Sequence, residues 1–295
     1  MPIKHAGTIL ACNVKLVTKL AIFIIILGLI ASAILINIVG PLVDEIMALI
    51  AEIDIDANEF IKHPFAITKT QIIDVCIDHI TSHDWRLLLV TAVFTYVLIR
   101  FFISIPLLPI TKVLHEKMTT GYDIGLFNAF VSTGFQNLLL SLILTIVISV
   151  VDLSLTAGAI ALAYVIISAK LYYLLPVIII AYLCLMSVRN CLTCQWLPEI
   201  CASNSKNIFR ALKTALVPTG KRFVKNFLCM LALNTIAFAI IASTAITTLM
   251  VIPLIAIPAY MVMHSALSLT LNFSYHEHKY FVDNGSTIYD PTKLF

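Results

Sequence analysis

Charge is the scarcest thing in this sequence. Asp, Glu, Lys and Arg make up 12% of its 295 residues, about half of the roughly 25% usual in a soluble domain. Tryptophan occurs twice and glycine nine times. No Gly-rich phosphate loop, His-Glu-x2-His pair, Gly-x-Ser-x-Gly elbow or haem-attachment motif is present. Those absences argue against a motif-bearing enzyme, though not against an unfamiliar intramembrane one. Neither sign of charge dominates, with 19 Lys and Arg against 16 Asp and Glu, a formal net charge of +3. That balance offers nothing to nucleic acid. What is plentiful is apolar: 60% of residues, with a mean hydropathy of +1.01. An ordinary water-soluble enzyme and a disordered chain are both excluded. The expectation is an all-α, polytopic integral membrane protein forming a single membrane domain over 1–295.

Seven cysteines are present, at Cys12, Cys76, Cys184, Cys191, Cys194, Cys201 and Cys229. On the topology derived below only Cys76 faces outward, and one thiol cannot form an intrachain bridge, so no disulfide framework is expected. The first long apolar run, 17–39, exceeds the apolar core of a signal peptide, about 7–15 residues, and no small-x-small cleavage site follows it. Ile9-Leu10-Ala11-Cys12 imitates a lipoprotein box but lacks the apolar core that must precede one. The first segment therefore reads as an uncleaved span.

A span needs roughly 20 mostly apolar residues. Six stretches meet that length: 17–39, 86–104, 134–152, 166–188, 226–248 and 252–274. From Asn137 to Ser187 only Asp152 and Lys170 interrupt the apolar run, and the expected turn lies near Asp152. The fourth helix starts near either 154 or 166. Orientation follows from Lys and Arg. With the N-terminus inside, the inner segments carry fourteen of the nineteen and the outer ones only Lys62, Lys69 and Arg86. Both termini are expected in the cytoplasm, with an acidic helical cap over 41–85 outside and a basic loop over 189–225 inside.

The chain also matches itself. Ile99-Arg100 with Leu108-Pro109 corresponds to Val188-Arg189 with Leu197-Pro198 at an offset of 89. The segment from Ala129 to Gly134 corresponds to that from Ala215 to Gly220 at 86, and Asn137 to Asn226 at 89. A third echo joins Ala181-Tyr182 to Ala259-Tyr260. The inferred unit is a span, an interfacial segment, a Gly break and a returning span. Repeats that pair a basic amphipathic segment with a span opening in an "Asn-Phe" step, here Lys225-Asn226-Phe227, resemble those of uncharacterised bacterial multipass membrane proteins. They are similar also to the membrane regions fused to some glycerophosphodiester phosphodiesterases. The resemblance covers about 86–275 and implies a helical membrane module of a bacterial cytoplasmic membrane. It transfers no catalytic residue, because the phosphodiesterase domain is absent.

Four groups of residues invite a functional reading. In the inner loop, Ser205 is a plausible N-cap. Ile208, Phe209, Leu212 and Leu216 then recur on one helical face, Lys206, Arg210 and Lys213 on the other, with Pro218 and Gly220 ending the helix. Lys221, Arg222 and Lys225 follow. A basic amphipathic helix beside a span lies in the headgroup boundary. The pattern serves as a positive-inside signal, an anionic headgroup site or a docking surface for a partner protein.

Cys191-x2-Cys194 with Cys201 supplies three thiols where a closed zinc site needs four ligands, so reduced cysteines at the end of a span are the simpler reading. On the outer segment, His79 and His83 at i and i+4, with Asp78, have the spacing of a divalent-metal site and equally that of a solvated helix face. Within the apolar stretches stand Lys170, Asp152 and Arg100. An ionisable side chain at midplane is costly and marks function, whereas one near a span end snorkels. Lys170 fits either depth, with Asp152 its expected partner. Arg100 fits the inner headgroups.

The leading expectation is a non-enzymatic, permease-like or accessory component that handles a lipid or small solute and needs no cofactor. Its partners are the bilayer and anionic lipid head groups, with a homo-oligomer or a partner membrane protein left open. A structural or assembly partner of another membrane protein is the alternative, and an intramembrane enzyme a further one.

Overall fold

The computed structural model describes residues 2–52, 85–169, 171–203, 208–245, 251–282 and 288–289. Nearly all of them are helical. The helices run α1 (Pro2–Cys12), α2 (Val14–Glu52), α3 (Trp85–Ser104), α4 (Leu107–Thr120) and α5 (Leu126–Ser168), then α6 (Leu175–Thr193), α7 (Trp196–Ser203), α8 (Ile208–Lys221), α9 (Phe223–Ala245) and α10 (Val251–Tyr275). Two short strands, β1 (Tyr280–Phe281) and β2 (Ile288–Tyr289), pair antiparallel near the C-terminus. The chain divides into two units, Leu27–Arg100 and the remainder.

Composition explains the helices. Leu, Ile, Ala and Met dominate, and in lipid only a helix satisfies every backbone polar group within one segment. Among the described residues five helical stretches are long and apolar enough to cross a membrane: Val14–Ile34, Leu89–Thr120, Leu126–Ser168, Pro176–Ala202 and Phe223–Ile240. The expected sixth span coincides with α10, which is absent from that set. Met261, Val262 and every residue from Ser265 to Ser274 are buried, among them Ser265, Ser268, Thr270, Asn272 and Ser274. Its neighbours are α1, α4, α7 and α9.

The turn expected near Asp152 is not there. α5 continues through Asp152 to Ser168, 43 residues, about 64 Å at 1.5 Å per residue. A lone carboxylate does not break a helix whose flanks are Leu, Ile, Val and Ala. The reversal follows at Ala169, where Ala169 N–H bonds Val165 O and Leu171 N–H bonds Ile166 O, both at 2.9 Å. A 3-10 turn at Tyr172–Leu174 then leads into α6, with Pro176 in its first turn.

The break in α5 comes instead at Gly134, with φ 44° and ψ −128°, a conformation essentially confined to glycine. Pro218 and Gly220 do not end α8 either. The helix runs through both to Lys221, and Arg222 N–H still reaches Pro218 O at 3.3 Å.

The face of α8 also departs from expectation. Ile208, Ala211, Ala215, Pro218 and Thr219 are buried, while Phe209 and Leu216 are exposed. Small alanines allow close approach to α7, so packing selects the small-residue face and turns the bulky one outward.

Two apolar clusters hold the larger unit. One joins α1, α4, α9 and α10 through Ile9, Leu114, Met230 and Leu267; the other joins α4, α5, α7 and α8 through Leu108, Leu144, Leu197 and Ala211.

Candidate functional site: a buried charge pair

The reversal at Ala169 sets a register. Asp152 on α5 and Arg189 on α6 lie 37 residues apart, nearly equidistant from the turn, so the antiparallel pair brings them side by side. Arg189 Nη1 donates to Asp152 Oδ1, and the two side chains are 13% and 8% exposed. Arg189 Nε and Nη2 both donate to Asn190 Oδ1, at 3.1 and 2.6 Å.

Neutral groups from two further helices complete the network. Asn190 Nδ2 donates to Asn234 Oδ1 on α9 at 3.0 Å and to the Tyr260 hydroxyl on α10 at 3.2 Å. The Tyr260 hydroxyl donates to Asn234 Oδ1 at 2.9 Å, and Asn234 Nδ2 to Ser187 Oγ at 2.9 Å. The His264 ring lies 6.0 Å from that of Tyr260. A guanidinium paired with a carboxylate in low dielectric is strongly bound. Its neutral partners, amides and hydroxyls, both donate and accept, so the same groups can bind an incoming polar molecule in place of one another.

A second polar cluster ties α7 to the end of α10. Asn272 Nδ2 donates to Gln195 Oε1 at 3.0 Å and to Glu199 Oε1 at 2.9 Å. His276 Nε2 meets the same Glu199 oxygen at 2.7 Å. Arg222 Nη1 donates to Ser274 O and Oγ at 3.0 and 2.8 Å, and its guanidinium stands 5.5 Å from the Tyr275 ring centre.

The structure sorts the sequence-derived residues unevenly. Asp152 is buried and paired with Arg189; Lys170, its expected partner, lies outside the described residues. Arg100 is half-buried on α3. Arg210, Lys213 and Lys221 are exposed on α8. Lys221, Arg222 and Lys225 come together at the α8–α9 junction, where Gly220 to Lys225 line an open groove of about 440 Å³. Lys206, Asp78, His79 and His83 lie outside the described residues.

Cys191 Sγ donates to Phe223 O at 3.6 Å and Cys194 Sγ to Cys191 O at 3.0 Å, both as buried free thiols. Sequence reasoning missed Arg189, Asn190, Asn234 and Tyr260 as one group. The signal that would have found them is the near-symmetric spacing of Asp152 and Arg189 about residues 169–171. Comparison of the chain with protein-family models, curated proteins and solved structures found no match.

Proposed function

We propose that this chain is a non-enzymatic, permease-like component of a bacterial cytoplasmic membrane, with six spans and both termini in the cytoplasm. It handles a small polar solute at the network built on Asp152 and Arg189. The observation that carries this reading is the charge pair itself. It sits in a long apolar helix whose flanking residues, Ile146, Val150, Ile160 and Leu162, are exposed. A pair at that position lies among lipid-facing turns, and ionisable groups at such depth mark substrate or ion pathways by default.

The helix order supports the repeat read from the sequence. A span (α3), a break at Ile105-Pro106, an interfacial helix (α4) and a Gly-kinked returning helix (α5) are followed by α6, a break at Cys194-Gln195, α7 with α8, and the returning α9. Exposed Phe209, Leu216 and Val217 beside Arg210 and Lys213 on α8 suit a helix lying in the headgroup boundary.

The test is native mass spectrometry of the protein extracted with its surrounding lipid, beside the Asp152→Asn variant. A small molecule bound at fixed ratio to the native protein and lost from the variant is expected. Absence of any such molecule, together with no solute uptake by proteoliposomes, overturns the reading. A second reading is favoured by the basic groove at Gly220–Lys225: anionic lipid head groups, or a partner protein, engage Lys221 and its neighbours. Retention of a selected anionic lipid, lost on Lys221→Gln, would identify the first of these.

A further inference from the structure

Between the Gly134 kink and Asp152, α5 carries polar side chains at Asn137, Ser141, Thr145 and Ser149, one per turn, and ends on Asp152 itself. All five are buried, at 4%, 1%, 3%, 3% and 6% exposure. At 100° per residue they fall within one arc, beside a second buried arc of Leu140, Leu144 and Ile148. The apolar arc packs on α4, α7 and α8. Exposed Leu138, Leu142, Ile146 and Val150 take the outer side. The helix thus hides its hydroxyls and shows its hydrocarbon, the arrangement of a segment surrounded by lipid with a polar interior.

A stripe of hydroxyls alone is no site, because Ser and Thr often bond back to their own helix. Here two of the five carry a buried atom with no partner. Asn137 Oδ1 and Ser149 Oγ are buried with no hydrogen-bond partner among the described residues, and leaving such an atom unsatisfied costs about 1–3 kcal/mol. Thr145 Oγ1 donates across to Ser104 Oγ on α3 at a long 3.5 Å. Hydroxyls four residues apart are separated by about 6 Å along the axis. Two hydrogen bonds of about 2.8 Å at the near-tetrahedral angle of one water span only about 4.5 Å, so successive rungs are joined by a short file of waters, and a buried water needs about three such partners. The spacing, the unpaired atoms and the charged terminus therefore fit one kind of occupant.

We propose that this seam is hydrated and admits water and small hydrophilic molecules from the Gly134 end of α5 to the Asp152–Arg189 pair. The inference rests on the reading of that pair as the handling site for its purpose, though not for its hydration.

The experiment is cysteine accessibility in native membranes. Ser149→Cys and Ile148→Cys stand at neighbouring positions on the two arcs. Each is treated with a water-soluble methanethiosulfonate supplied to both membrane faces, and modification is read by mass at that peptide. Because the reactive thiolate forms only where water reaches the sulfur, the cysteine at 149 is expected to react about tenfold or more faster than that at 148. Thr145→Cys, one turn nearer the kink, serves where Ser149→Cys does not assemble. Equal, slow modification at 145, 148 and 149 overturns the seam. Solute retention by the native protein, measured separately, tells the two ideas apart. Retention with a dry seam leaves the Asp152–Arg189 site and removes the path, whereas a wet seam without retention keeps the path and removes the site.

Discussion

A carboxylate and a guanidinium taken out of water each pay several kcal/mol of desolvation, returned only while the partner is present. Asp152 and Arg189, 8% and 13% exposed, are in that position, and the cost of disturbing them depends on whether one charge or both are removed. Asp152→Leu strands the guanidinium and is expected to destabilise by about 3–5 kcal/mol. Asp152→Leu with Arg189→Met removes both charges and is expected to recover most of that loss. Thermal unfolding in detergent, followed by circular dichroism, measures the difference. A double variant no more stable than the single one would show that the pair has no mutual dependence.

His5 offers a second test at this scale, away from the apolar spans. It is buried on α1, its Nδ1 is 2.9 Å from the Tyr280 hydroxyl, and burial, then the nearby N-terminal amine and Lys4, lowers its pKa below 6.5. A histidine whose folded pKa is depressed takes up its proton more readily when unfolded. Its contribution to stability is therefore complete above about pH 6.5 and is lost as the pH falls below that value. His5→Gln is expected to flatten the slope of the thermal midpoint between pH 7 and pH 5.

At the scale of the element, glycine separates two uses of one residue. Gly134 has φ 44° with open space where a Cβ would stand, whereas Gly158 is an ordinary helical position in the same α5, also with open space. Steric clash is thus absent at both and backbone conformation alone differs. Gly134→Ala is expected to cost about 1–3 kcal/mol, and Gly158→Ala to gain about 0.5–1 kcal/mol. Unfolding midpoints of the two variants, measured side by side, decide it.

The same scale shows what could be read beforehand. The Gly134 break was legible as the glycine of the repeat unit, and the long helices because apolar runs of that length and composition satisfy their backbone polar groups within one segment. The reversal after Ser168 was not. Asp152 is the most visible polar interruption in the run, and charge was taken for a turn when here it marks a partner. The buried face of α8 was equally hidden, since the hydrophobic pattern ranks Phe209 above Ala211 while packing against α7 prefers the smaller residue. Tyr260 and Asn234 carry no signal by themselves. They acquire meaning only from the hydrogen bonds that four helices bring together.

For the molecule as a whole the deciding quantity is parity. Among the described residues five helical stretches are apolar enough to cross, and α10 is the element on which an even or odd number turns. Six crossings return the C-terminus to the side of the N-terminus, while five leave the two on opposite sides. Lys and Arg distribution favours the even number, because fourteen of nineteen then face the cytoplasm. The buried Ser, Thr and Asn of α10 do not oppose it, since a span enclosed by other helices need not be apolar on every face. Reporters active on only one side of the membrane, fused at the N-terminus, at residue 171 and at the C-terminus, are expected to read inside, outside and inside. A C-terminus reading outside would mean that α10 packs within the protein without crossing. The Arg222–Ser274 and Glu199–His276 contacts at its end would then anchor an inserted helix in place of a sixth span.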